Sequence, residues 1–143
     1  MSVTGPEVTT HDAAGVLEAS RAREKAQTLY YRALAAQASA SGDRDATDRL
    51  NDLHADEQHH LSRLTARLLE LGHRPRELAA ISAPGGELVG WERAAREREA
   101  EEVRWYEAVA ELGLDRDTEA VLAEILDSER HHLRELRGKW MSA

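Results

Sequence analysis

The sequence predicts an all-α fold, a four-helix bundle made of two repeated antiparallel helical hairpins with a long central connection. Three observations predict it. The composition is rich in Ala, Glu, Arg and Leu, with three Pro and no Phe, residue types that favour helix over sheet. Breaks at "SGD" (41–43), across "GHRP" to "PGG" (72–86) and at "GLD" (113–115) leave four long segments with helical periodicity. The second half also repeats the first, since "DEQHHLSRL" at 56–64 returns as "SERHHLREL" at 128–136.

Helix A is expected at about 13–40, after an N-terminal tail of residues 1–12. Its inner face reads Val16, Leu17, Ser20, Tyr31, Leu34, Ala35 and Ala38, with Glu24 at the centre. Helix B, about 44–71, carries a stripe of Leu50, Leu53, Leu61, Leu64, Leu68 and Leu71. At about 100° per residue, Glu57 and His60 fall inside that stripe and His59 falls nearly opposite. The crossover, about 72–87, could span roughly 50 Å at about 3.3 Å per residue. That length would cross the bundle, or swap the second hairpin onto another subunit.

Helix C, about 88–112, places Trp91, Ala95, Val103, Tyr106, Val109 and Ala110 on one face together with Glu99 and Glu102. Helix D, about 116–139, gathers Val121, Leu122, Ile125, Leu126, Leu133, Leu136 and Trp140 with Glu129 and His132, and turns His131 outward. Hairpin 1 is thus about 13–71 and hairpin 2 about 88–140. A shift of 75 lays Glu24, Tyr31, Leu34 and Ala35 onto Glu99, Tyr106, Val109 and Ala110. A shift of 72 lays Glu57, His59, His60, Leu61 and Leu64 onto Glu129, His131, His132, Leu133 and Leu136. The repeat implies a pseudo-twofold bundle.

At 143 residues the chain is one domain's worth. It has no Cys, which excludes disulfides, thiolate nucleophiles, Cys-ligated zinc and iron–sulfur centres. Any metal must use His and carboxylate. The first residues lack the basic and apolar regions of a leader, and no apolar run approaches bilayer length, so a soluble, cytoplasmic protein is expected. A net charge of −8 without basic patches argues against nucleic acid or membrane as a partner.

Four or five carboxylates therefore point at one core. As unpaired anions they would cost more than a net stability of roughly 5–15 kcal/mol could absorb. Something cationic must meet them. Glu24, Glu57, Glu99 and Glu129 supply the charge that two divalent ions balance, with Glu102 as a surplus ligand. Glu and His at i and i+3 share a helix face, so Glu57 with His60 and Glu129 with His132 can each reach one ion. Oxygen-rich ligation with one imidazole per ion suits iron, or manganese, better than structural zinc. One Glu-x-x-His alone describes an ordinary solvated pair; six ligand-type residues in register on four inner faces do not. Tyr31 and Tyr106, seven residues after Glu24 and Glu99, are either core tyrosines or hydroxyls that bond a ligand carboxylate from another helix. His54, His59, His73 and His131 read as surface or loop residues.

On these residues the chain resembles the ferritin-like di-iron superfamily, and within it the rubrerythrin group, over about 13–140. The motifs are Glu24 in "REKAQTLYY", "EQHH" in helix B, Glu99 and Glu102 in "REAEEVRWY", and "ERHH" in helix D. Glu102 takes the place of the second helix C glutamate of rubrerythrins, and Gln27 breaks the symmetry in helix A. The resemblance implies a centre of two Fe ions, with Mn or Zn as substitutes, that reduces hydrogen peroxide to water in defence against oxidative stress. It implies Glu102 and His60 as exchanging ligands, Glu57 and Glu129 as bridges, and Glu24, Glu99 and His132 as terminal ligands. Glu102, His60, Tyr31 and Tyr106 are then the expected catalytic residues. Without cysteines there is no rubredoxin-type domain, as in shorter erythrin-like forms, so a separate electron-donor protein and a homodimer are expected. Alternatives are a ferroxidase or iron-handling protein, an O2-activating oxygenase with an organic substrate, or a non-enzymatic helical module.

Overall fold

The four periodic segments fold as α1 (Gly5–Ser41), α2 (Arg44–Glu70), α3 (Trp91–Val109) and α4 (Arg116–Glu135). The computed structural model describes residues 5–136, with side chains from Ala13 onward, so Trp140 lies outside the described residues. Among the described residues there is no strand. No helix there is long and apolar enough to cross a membrane.

Helix ends follow local chemistry. α1 begins within the stretch expected as a tail, because Pro6 stands in the first turn, where its missing N–H has no helical partner to lose. α1 and α2 both close on a left-handed glycine. Gly42 (φ 78°) and Gly72 (φ 81°) each let two backbone N–H groups turn back, Gly42 to Ser39 O and Asp43 to Ala38 O, Gly72 to Leu69 O and His73 to Leu68 O. Asp43 then caps α2 by accepting from Ala46 N at 3.0 Å. α3 is shorter than expected at both ends. Leu88–Gly90 form a turn before Trp91, and after Val109 the chain tightens into i→i+3 bonds up to Leu112. Asp115 caps α4 through Thr118 N at 3.1 Å and accepts from Arg67 of α2 at 2.8 Å.

The crossover runs beside α1. Near its start Arg76 N donates to Glu18 at 2.9 Å, and the buried Arg21 donates to Arg76 O at 3.1 Å. Near its end Gln37 donates to Gly86 O at 3.2 Å, and Gly86 lies so close to Tyr30 that a Cβ there would meet the ring at 2.8 Å. Glu18 and Gln37 are roughly 28 Å apart along a helix rising about 1.5 Å per residue. The connection therefore crosses the bundle. The order is up, down, down, up: Trp91 and Ala95 of α3 share one apolar cluster with Ala46 and Leu50 of α2, while Tyr106 and Val109 share the other with Leu64 and Leu68.

The apolar core is divided in two. One cluster gathers Ala13, Leu17, Leu64, Leu68, Tyr106, Leu122 and Ile125; the other Tyr31, Leu34, Leu50, Leu53, Trp91, Ala95 and Leu136. Leu71 only packs against the first cluster from its edge. Between the two lies a layer of buried polar side chains.

Candidate metal centre

That layer is built from four helices. α1 contributes Glu24, α2 Glu57 and His60, α3 Glu99, and α4 Glu129 and His132. The four glutamates are 0% exposed, whereas His59 and His131 face solvent. The helical period explains this, since each His-His pair turns one ring in and one out.

The six side chains fall into two groups, Glu24, Glu57, His60 and Glu129, and Glu57, Glu99, Glu129 and His132. Within each, one ligand atom per residue lies within 4.8 Å of all the others. Glu57 and Glu129 belong to both. His60 Nδ1 is 2.9 Å from Glu57 Oε1, 3.3 Å from Glu24 Oε1 and 3.9 Å from Glu129 Oε2. His132 Nδ1 is 3.0 Å from Glu129 Oε1 and 3.7 Å from Glu99 Oε1. The ring centroids are 6.1 Å apart.

The carboxylates are under-satisfied. Among the described residues, both oxygens of Glu57, Oε1 of Glu99 and Oε2 of Glu129 are buried without a hydrogen-bond partner; His60 lies near Glu57 Oε1 but is not aligned with it. Burial, and then the neighbouring carboxylates, push Glu57 and Glu129 well above the ordinary carboxylate range. Glu99 is also penalised by burial, but the neighbouring His132 imidazole outweighs this and holds it below that range. Two groups of buried oxygens and imidazole nitrogens that share two carboxylates fit a pair of divalent ions, which would satisfy the partnerless oxygens.

The outer contacts repeat the pseudo-twofold. Tyr31 of α1 donates to Glu99 of α3 at 2.6 Å, and Tyr106 of α3 donates to Glu24 of α1 at 2.7 Å. Burial, then the facing carboxylate, raises both phenols well above their usual value. Arg23 stacks on Trp105 and donates to Glu102; at the positions 75 residues on, Arg98 stacks over Tyr30 and donates to Gln27 at 2.6 Å.

Glu102, expected as a ligand, stands outside both groups. Its carboxylate turns away to accept two bonds from Arg23, at 3.1 and 2.9 Å. A bidentate guanidinium is the strongest partner such a group can find short of a metal. Burial still pushes Glu102 up to about 7 against the pull of Arg23. Gln27, its counterpart, instead donates to Glu99 at 3.3 Å.

Sequence reasoning missed Asp56, which accepts from His132 Nε2 at 2.9 Å. Its wheel position points outward and gave no signal. The arginine pair was findable, because the shift of 75 that aligns Glu24 with Glu99 also aligns Arg23 with Arg98 and Tyr30 with Trp105. A cavity of about 350 Å³ borders His132 and is lined by Arg49, Asp52, Asp56 and Glu135 together with Leu53 and Leu136.

No protein-family model matches the chain, and no curated protein matches it. Among solved structures it is similar to the bacterioferritin of Desulfovibrio desulfuricans, whose diiron site has been described in different catalytic states. The TM-score is 0.83 at 19% identity, over 94% of this chain and 81% of that one. The likeness does not reach the rubrerythrin-like subgroup. At that identity it shows the fold, and the fold is the ferritin-like, all-α four-helix bundle.

Proposed function

We propose that the chain holds two iron ions in the six-residue layer and oxidises Fe(II), with O2 or hydrogen peroxide as oxidant. The single observation that carries this reading is the pair of ligand groups sharing Glu57 and Glu129, with buried oxygens that have no protein partner. Glu24 and His60 would serve one ion, Glu99 and His132 the other, and Glu57 and Glu129 both. An iron pair supplies one-electron chemistry at each ion, so two Fe(II) give up the two electrons that reduce one peroxide, with two protons, to two waters.

The residues have separable tasks. Tyr31 and Tyr106 hold Glu99 and Glu24 in orientation, as outer partners of metal ligands do. The apolar clusters on either side keep the layer dry. Glu57 and Glu129 must release any proton they carry when ions bind.

The resemblance to a di-iron bacterioferritin favours iron oxidation over the peroxidase expected from rubrerythrin-like motifs. The peroxidase assignment also relied on Glu102 as an exchanging ligand, and Arg23 engages that carboxylate. In iron oxidation the electrons come from the substrate, so no donor protein is required. The experiment is to load the protein with Fe(II) anaerobically, count metal per chain, and follow ferric absorbance after O2 or peroxide. Two irons per chain with ferric iron released or accumulated over many turnovers supports the proposal. Turnover of peroxide only with an added electron donor would restore the peroxidase, and no bound iron would end both.

A further inference from the structure

The pseudo-twofold is broken around the ligands, and broken on one side. His132 Nδ1 faces the carboxylates while its Nε2 bonds Asp56 at 2.9 Å. Among the described residues, no hydrogen bond does the same for His60 Nε2. A shift of 72 carries Asp56 onto Ser128, which has no carboxylate. The outer support of the terminal carboxylates differs as well. Glu99 Oε2 accepts from both Tyr31 at 2.6 Å and Gln27 at 3.3 Å. Among the described residues Glu24 Oε2 accepts from Tyr106 alone, because the counterpart of Gln27 is Glu102, engaged with Arg23.

We infer that the two metal positions are inequivalent: the Glu99–His132 position fills first and holds its ion, the Glu24–His60 position exchanges, and Asp56 is the positioning residue that sets the difference. The inference rests on the di-metal reading above. A carboxylate on the far nitrogen of a ligand histidine fixes its tautomer and ring orientation and raises its basicity, and losing such a partner costs about 10- to 100-fold in metal affinity. Orientation fixed in advance is ordering that binding does not have to supply. In iron oxidation this division leaves one ion resident while the other position is resupplied from solution.

The test uses full-length apo-protein titrated with Co(II), followed by calorimetry and by the visible absorption of bound Co(II). Two resolved binding events are expected, separated by about tenfold or more in affinity. Asp56→Ala is expected to weaken the tighter event by about 10- to 100-fold and leave the other unchanged. Asp56 is more than half exposed, so the fold should survive, which far-UV circular dichroism checks. Ser128→Asp, which installs the missing carboxylate, is expected to tighten the weaker event. Two equal events in the natural protein, or equal weakening of both by Asp56→Ala, would overturn the inference while leaving a di-metal centre in place. No Co(II) binding at all would overturn both.

Discussion

Glu57 carries the conflict between folding and metal binding in a single side chain. It is 0% exposed and neither oxygen has a hydrogen-bond partner, so it destabilises the chain unless it is protonated or bound to a cation. A glutamine there is neutral at any pH, so it removes the cost of either burying this carboxylate or keeping it protonated. Glu57→Gln is therefore expected to raise the melting temperature of chelator-treated protein and to lower its metal content. A melting temperature that falls in the metal-free variant would mean that Glu57 has a partner not accounted for here. Replacing both shared carboxylates, Glu57→Ala with Glu129→Ala, is expected to abolish metal binding, and full retention of two ions would sink the site. Tyr31→Phe is milder, because Gln27 still donates to Glu99. Loss of one outer hydrogen bond is expected to cost at most about tenfold in affinity at one position, read from the same titration.

At the scale of elements, what the sequence showed was what helical periodicity can carry. The apolar stripes gave four helices, and the same stripes separated His60 from His59 and His132 from His131, as the burial pattern bears out. What it could not show was competition between side chains. Glu102 lies three residues after Glu99, so spacing put it among the ligands, and spacing could not show that Arg23 from α1 holds its carboxylate in the metal-free chain. Residues 5–12 have no apolar period to announce a helix, yet Pro6 starts one. Turn chemistry was legible, and it is testable at Asp43, which caps α2 while its own N–H closes α1. Asp43→Ala is expected to cost about 1 kcal/mol by denaturant titration, with metal stoichiometry unchanged. A larger loss accompanied by metal loss would tie the α1–α2 turn to the distant centre.

At the scale of the molecule, a polar layer between two apolar clusters makes stability depend on pH in opposite senses with and without metal. In the metal-free protein Glu57, Glu129 and Glu102 all sit above their ordinary range, Glu102 at about 7. The folded chain then binds more protons than the unfolded chain between about pH 4.5 and the raised values. By linkage, the stability these groups contribute is complete below the unfolded carboxylate range and is lost as pH rises through the folded values. Glu102 alone accounts for a swing on the order of 3 kcal/mol, at about 1.36 kcal/mol per unit. His132, although lowered by burial, is raised overall by Glu99 and Asp56 and acts in the same sense. Glu99 is held low and opposes them only below the ordinary carboxylate range. Metal-loaded protein behaves the other way, since ions need the deprotonated ligands and protons compete them off. The melting temperature of chelator-treated protein is therefore expected to rise from pH 8 to pH 5, while the increment added by Co(II) or Mn(II) shrinks over the same interval. Differential scanning fluorimetry of both forms measures this directly. A metal-free protein that loses stability steadily over that interval would show that the layer is held by ion pairs, and the demand for a metal would disappear with it.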